Sequence, residues 1–341
     1  MSKTSRTVTS FDVARVAQVS QSAVSRAFTK GASVSDETRE KVLSAARLLG
    51  YRPNAHARSL ITKKSRIIGL VLSYLENLFY PIAIQRLSER LQRDGYHVLL
   101  FFCPQASADE VVDEILQYHV DGIVLASVTL SSTLARRCAD ANIPVVMFNR
   151  VHSVTDHQEA SAVTSDNYAG CAEIARLLVE SGHERIAFIA GQEESSTSRE
   201  RERGFREELG RLGSRIWSRG VGNYDFTQAR VATRDMFSRP DRPDAVFVAS
   251  DHMALAVMDT LRFELKLRVP EDVSVVGFDD VPQASWLSYN LTTVRQPLDE
   301  MVEHTVQILQ SALREDDGLR RETIVVPVLL VQRSSVRRRS Y

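Results

Sequence analysis

The chain carries two rhythms of hydrophobic and polar positions. Over residues 7 to 66 apolar residues recur three and four apart in short bursts; from Arg66 onward, apolar runs of four to six residues alternate with amphipathic stretches of 12 to 18. The first rhythm belongs to small amphipathic helices, the second to βαβ units that close into parallel sheets. In the first stretch Thr9 is placed to cap a helix reaching about Ala17, with Asp12 completing a capping box. Ser20 caps a second helix whose Ala23, Val24 and Ala27 turn toward the first, which leaves Gln21, Ser22, Ser25 and Arg26 facing outward. Ser35 caps a third helix, with Asp36 and Glu37 complementing its dipole, Val42, Ala46 and Leu49 on one face, and Gly50 at its end. Pro53 then breaks the chain, and Asn54 can cap one short turn, AHARSL, ahead of a basic ITKKSR segment. A helix that short is marginal alone, so it needs pairing across a twofold axis or a surface to lie against.

Beyond Arg66 the pattern predicts strands at 67–72, 97–102, 122–126, 145–148, 186–190, 245–249 and 273–278. Helices fill the gaps, at 81–94, 108–118, 130–141, 168–181, 198–212, 226–237, 252–264 and 298–313. Their number and spacing predict two doubly wound α/β lobes behind an all-α head, three globular pieces in all.

Charge sharpens the division. Residues 1–66 hold 13 Lys/Arg against 4 Asp/Glu, although the whole chain has 43 of each. A net charge of zero thus conceals a basic head on an acidic body, the asymmetry expected of a module that neutralises phosphates. Outward Gln21 can bond adenine edges, Arg26 can grip guanine or phosphate, and Ser22 and Ser25 fit either, which leaves open the choice of base-contacting residue among the four. Thr9, Ser20 and Ser35, with Asn54 and Arg58, complete the expected DNA-contacting set. Leu60 is placed either to wedge between base steps from the minor groove or to pack against its own linker. Cys103, Cys138 and Cys171 lie far apart in apolar surroundings with no CxxC spacing, which fits reduced thiols and suggests no metal or redox site. The opening MSKTSRTVTS lacks an apolar signal core and no run approaches a membrane span, so a soluble cytoplasmic protein is expected.

In doubly wound sheets ligands bind beyond the carboxyl ends of the strands. Those ends carry Ser73 with Phe79 and Tyr80, Asn149 with Arg150, Asp166 with Asn167, Ser198 with Arg199, Tyr224, Ser250 with Asp251, and Asp279 with Asp280. Carboxylates, a guanidinium fork and a few aromatic faces suit a polyol, sugar or nucleobase better than an apolar guest. Asp166 and Asp251 are equally placed to cap the helices that follow them.

FDVARVAQVSQSAVSRAF, VSDETREKVLSAARLLGYRPNAHARSL, IPVVMFNR, SGHERIAFIAG, SRERERGF, VPEDVSVVGFDD and LTTVRQP occur in one order along nearly the whole chain. In that order they resemble the lactose/galactose repressor (LacI/GalR) family of bacterial transcription regulators. The resemblance implies that the second helix reads the major groove, that a hinge helix enters the minor groove through Leu60, and that the core is built like a periplasmic sugar-binding protein. It further implies three crossings between lobes, near residues 163, 290 and 322. By position, Ser73, Phe79, Asn149, Arg199, Tyr224, Ser250 and Asp279 match the family's effector pocket. Four positions depart from the family pattern: Gln18 for the turn glycine, Phe11 for a tyrosine, Leu78 for a proline and Ser250 for an asparagine. The expected organisation is a head at 1–52, a hinge and linker at 53–66, and an effector-binding and dimerisation core at 67–341. The first lobe takes 67–163 and 291–322, and the second takes 164–290 and 323–335.

The partners expected are a palindromic DNA operator, a carbohydrate-like effector and a second copy of the chain, with no cofactor. SSVRRRSY lacks the apolar heptads of a tetramer-forming coiled coil, which favours a dimer. An enzyme is disfavoured by the absence of GxGxxG after a strand, GxxxxGK[ST], GxSxG and HExxH. Ser250, Asp251 and His252 are sequence neighbours that point apart and make no triad. A transport binding protein would share the lobes but would have no use for a basic helix-turn-helix.

Overall fold

The computed structural model describes residues 8–29, 31–53, 64–103, 108–128, 132–151, 160–314 and 321–337. The chain divides into two compact units, Met1–Ser65 and Arg66–Tyr341, and each is taken by itself.

The smaller unit holds α1 (Ser10–Ala17), α2 (Gln21–Ala27) and α3 (Asp36–Leu49). Its capping box is formed: the Thr9 hydroxyl accepts from the Asp12 amide at 3.4 Å, and the Asp12 carboxylate accepts from the Thr9 amide at 3.0 Å. Val13, Ala14 and Ala17 of α1 pack with Val24 and Ala27 of α2 and with Val42, Ala45 and Ala46 of α3. Small residues let the axes approach, so three short helices share one core. Gln18 closes α1 at φ 55°, doing the work of a glycine in the left-handed region. Arg39 of α3 donates to the carbonyls of Ala27 (2.7 Å) and Ala32 (3.3 Å), which ties the end of α2 to the scaffold helix.

The larger unit contains two all-parallel sheets. The first joins β1 (Ile67–Leu72), β2 (His97–Phe102), β3 (Gly122–Ala126), β4 (Val145–Phe148), β5 (Ser161–Ser165) and β11 (Thr323–Val326) in the order β11-β5-β4-β3-β1-β2. The second joins β6 (Ile186–Ala190), β7 (Ser218–Val221), β8 (Ala245–Val248) and β9 (Ser274–Val276) in the order β7-β6-β8-β9. A two-stranded antiparallel ribbon, β10 (Thr293–Arg295) with β12 (Leu329–Val331), lies where the chain passes between lobes.

Helices α4 (Phe79–Arg93), α5 (Ala108–Gln117), α6 (Ser132–Asp140) and α11 (Leu298–Arg314) serve the first lobe. Helices α7 (Asn167–Glu180), α8 (Ser196–Arg211), α9 (Phe226–Phe237) and α10 (Asp251–Asp259) serve the second, and α10 continues as a π-helical turn over Thr260–Glu264. Strands β3 to β6 and β8 are buried along their whole length, as inner parallel strands covered on both faces must be.

The lobe bookkeeping differs from expectation. Thr323–Val326, expected in the second lobe, pairs with Ser161–Ser165 in the first sheet. Thr292 and Arg295, expected in the first lobe, bridge to Val276 and Asp279 beside the second sheet. The crossings therefore follow Ser165, Arg295 and Val326. Helix α7 meets α8 very closely: a Cβ on Gly204 would lie 2.3 Å from the carbonyl oxygen of Tyr168.

Candidate functional site

On the head, α2 presents the side chains expected of a recognition helix. Gln21, Ser22, Ser25 and Arg26 are exposed while Ala23, Val24 and Ala27 are buried, so the helical period that packs the core also builds the outer face. Gln21 Nε2 donates to Ser10 Oγ at 3.4 Å, and the hydroxyls of Ser20 and Ser22 share a 2.9 Å bond. Ser20 accepts from the Ala23 amide and Ser35 from the Thr38 amide, both at 3.2 Å, so these two, like Thr9, serve as caps. Phe11, on α1, is 71% exposed. Asn54, Arg58 and Leu60 lie outside the described residues.

In the core, the strand ends of the two lobes face one another. From the first lobe come Ser73 after β1 and Asn149 with Arg150 after β4; Phe79 opens α4. Ser73 Oγ donates to the Ser127 carbonyl at 2.9 Å and so joins the ends of β1 and β3. Phe79 is buried and stacks on Phe148 (6.4 Å, 18°). Asn149 sits at φ 56°, and its buried Oδ1 has no partner.

Arg150 crosses to the second lobe, donating to Thr197 Oγ1 at 2.6 Å, to Tyr74 Oη at 3.2 Å and to the Asn149 carbonyl at 3.0 Å. The Val151 amide crosses beside it to Ser196 Oγ at 3.1 Å. Tyr224, at φ 59°, shares a 3.2 Å hydroxyl bond with Thr197. Its ring fills the space where a Cβ on Gly191 would stand, 2.2 Å away. Burial pushes the Tyr74 and Tyr80 phenols up, so both stay protonated donors.

Asp279 stands three residues past β9 with φ 136°, a conformation that side chains avoid and that is held here by its neighbours. Its Oδ1 accepts from Gln296 Nε2 (2.7 Å) and Arg201 Nη2 (3.4 Å), while its buried Oδ2 has no partner. Burial raises the Asp279 pKa against the lowering pull of Arg201. Between Phe79, Ile82 and Arg86 on one side and Asp279 to Pro282 on the other, a cavity of about 430 Å³ runs to Gln296 and Pro297.

Two expected members stand elsewhere. Arg199 is exposed and donates to the Glu194 carbonyl at 3.0 Å; the buried arginine of this helix is Arg201. Arg201 donates to Asn167 Oδ1 at 2.8 Å, to the Ala249 carbonyl and to Asp279, with its guanidinium 3.7 Å over the Phe278 ring. The signal was helical period: Arg201, Gly204, Phe205, Glu208 and Leu209 form one buried stripe, and Arg199 falls off it. Ser250, wholly buried, caps α10 by accepting from the Met253 amide at 3.4 Å. Asp166 caps α7. Asp251 does not cap; it accepts from Thr293 Oγ1 (2.6 Å) and the Val281 amide (3.0 Å), tying a crossing strand to the second lobe.

Two family models match the chain: the bacterial regulatory proteins of the lacI family over residues 11–54, and a periplasmic binding protein-like domain over 175–336. The chain is 30% identical to the probable HTH-type transcriptional repressor ExuR of Bacillus subtilis, over 97% of its own length and 99% of that protein's. It is 31% identical to the ribose operon repressor of Escherichia coli, over 95% and 98%. The chain belongs to the LacI family. It is a DNA-binding transcriptional regulator with a helix-turn-helix head and a two-lobed core. The solved lac repressor dimer bound to operator and the anti-inducer ONPF is similar in structure, with TM-score 0.83 and 28% identity over 97% of this chain and 99% of that one. Among the described residues of this LacI-family chain no helix is long and apolar enough to cross a membrane, and no group of three His, Cys, Asp or Glu could hold a metal ion.

Proposed function

We propose that this regulator is a cytoplasmic homodimeric repressor that grips a palindromic operator with its paired heads and releases or tightens that grip when a sugar or sugar derivative fills the cleft. In this reading residues 1–52 form the DNA-binding head, 53–66 the hinge and linker, and 67–341 the effector-binding and dimerisation core. The observation that carries it is the cross-lobe contact of Arg150 with Thr197, together with the unpartnered buried oxygens of Asn149 and, beside Arg201 and Gln296, of Asp279. Buried polar atoms without partners are rare because they cost free energy, so their presence along an interlobe cleft supports a polar guest that completes them. The ring of Tyr224 supplies an apolar wall for a sugar face. Arg201, rather than Arg199, is the arginine of this pocket, with Ser73, Phe79, Asn149, Tyr224, Asp279 and Gln296. Ser250 supports it as a cap.

Binding, not catalysis, is the reading favoured for the cleft, since the Ser250 hydroxyl and the Asp251 carboxylate are occupied by a cap and by Thr293 and Val281. A guest that holds the lobes in one arrangement shifts operator affinity by linkage, typically about 1–3 kcal/mol or about 5- to 150-fold. Paired heads on a twofold axis read two half-sites, which accounts for the palindrome. Gln21, Ser22, Ser25 and Arg26 are assigned to base edges or phosphates and Leu60 to the minor groove. The test is fluorescence anisotropy on a labelled promoter fragment with and without members of a sugar panel chosen by thermal shift. A ligand that stabilises the protein and changes operator affinity supports the reading, and stabilising ligands with no effect on operator affinity would refute it.

A further inference from the structure

Among the described residues two arginines are buried, Arg201 and Arg150, and they differ in one respect. Arg201 has a carboxylate, Asp279, among its partners. Arg150, 5% exposed, has none: its partners are the Thr197 hydroxyl, the Tyr74 phenol and the Asn149 carbonyl, with the Tyr224 ring 5.9 Å away. These bonds use three of the five N–H donors that a guanidinium carries. A guanidinium cannot shed its proton to escape burial, and an unneutralised buried charge is costly.

The partner it does reach lies in the first turn of α8, a 16-residue helix. The amides of Ser196 and Thr197 have no acceptor within that helix, and the helix dipole adds positive potential at the same point. Two sources of positive potential from opposite lobes thus converge on one place. Asn149, next to Arg150, keeps a buried amide oxygen without a partner, and turning the amide over would offer its NH2 to an anionic guest.

The geometry points to an effector that carries an anionic oxyacid group, a carboxylate or a phosphate on a polyol frame, seated between Arg150 and the start of α8. This rests on the reading of the cleft as the effector site and adds the charge of the ligand. The anion takes the donors that Arg150 now gives to neutral oxygens and draws the two lobes onto the same group. Asp279 and Gln296, at the other end of the cleft, are left for hydroxyls.

The test uses the full-length protein at fixed pH and ionic strength, with calorimetric titration of matched ligands: glucose, glucuronate and glucose 6-phosphate, then galactose, galacturonate and galactose 6-phosphate. Each is also scored for its effect on operator binding by anisotropy. At least one anionic member is expected to bind about tenfold or more tightly than its neutral parent, as a charge-assisted bidentate contact should provide. Whether the carboxylate or the phosphate arm responds identifies the group. Arg150→Gln should reduce that preference to near parity, and Arg150→Lys, which keeps the charge but loses the fork, should retain part of it. Circular dichroism checks folding of each variant; if Arg150→Gln does not fold, Arg150→Lys and the wild-type comparison decide. Neutral parents binding as tightly as their acids, or a preference that survives Arg150→Gln, would overturn the anion while leaving the sensor reading standing. No effect on operator binding by any member, neutral or charged, would remove both.

Discussion

Replacing Arg201 by methionine distinguishes it from Arg199, on the same helix α8, by energy as well as position. Its guanidinium is 2% exposed and serves three acceptors, Asn167 Oδ1, the Ala249 carbonyl and Asp279 Oδ1. Removing one partner of a buried ion pair costs about 3–5 kcal/mol. Two features hold the loss to the lower end of that range. Asp279 keeps the 2.7 Å bond from Gln296, and a methionine can still pack on Phe278 where the guanidinium lay. A deficit of about 3 kcal/mol is therefore expected for Arg201→Met, against about 0.5 kcal/mol or less for the exposed Arg199→Ala.

Urea unfolding followed by the fluorescence of Trp217 and Trp286, both in the second lobe, reads the difference. The deficit should grow with pH. Without Arg201 the Asp279 pKa rises further, and a carboxyl whose folded pKa is raised contributes stability that is present at acid pH and is lost as pH climbs through that value. A double-mutant cycle with Asp279→Asn should give a coupling of about 0.5–3 kcal/mol. A deficit under about 1 kcal/mol, or one no larger than that of Arg199→Ala, would refute the assignment of Arg201 as the buried anchor.

Arg26→Ala should weaken operator binding by about 1–3 kcal/mol while far-UV circular dichroism stays unchanged; an unaltered Kd would remove Arg26 from the interface. Leu60→Ala should lose specific binding more than nonspecific binding, measured against a scrambled duplex, and equal losses would exclude the wedge. Gly204→Ala drives a Cβ into the backbone of Tyr168 and should cost about 1–3 kcal/mol in denaturant midpoint analysis, a loss that Gly210→Ala, which has open space, should not share. Asp251, whose pKa is raised by burial and by neighbouring Asp279, contributes stability that is full below the pKa of a free aspartate and disappears as pH rises through the folded value. Asp251→Asn should accordingly raise Tm at alkaline pH and leave acid Tm nearly unchanged; a uniform fall at every pH would count against it.

Most of the architecture was legible because it rests on local pattern. Thr9, Ser20 and Ser35 cap the three head helices as their spacing predicts, and the apolar runs from Ile67 to Val276 are strands. What escaped depends on tertiary pairing. Ser161–Ser165 is buried throughout yet has only two apolar residues, and Ser218–Val221, Thr293–Arg295 and Leu329–Val331 are three or four residues long with no alternation to betray them. In the site, Arg199 looked functional because it stands in the first turn of its helix, but the stripe of Phe205 and Leu209 selects Arg201. Asp251 looked like a cap because an acid often begins a helix, whereas Ser250 had already taken that position and freed the carboxylate for Thr293. The role of Arg150 depends on which oxygens surround it, and these come from Tyr74 and Thr197, distant in sequence.

The clamp of Arg39 on the carbonyls of Ala27 and Ala32 bears on how such a regulator changes its targets. Those bonds hold the end of α2 and the turn after it through the main chain, which every residue type shares, and ask little of the outward side chains, whose bonds from Gln21 to Ser10 and from Ser22 to Ser20 are exposed. Gln21, Ser22, Ser25 and Arg26 can therefore drift one at a time, each new combination being presented on an unchanged frame. With these side chains assigned to DNA as proposed, new operator sequences become accessible by ordinary point substitution, with no interval in which the head must refold.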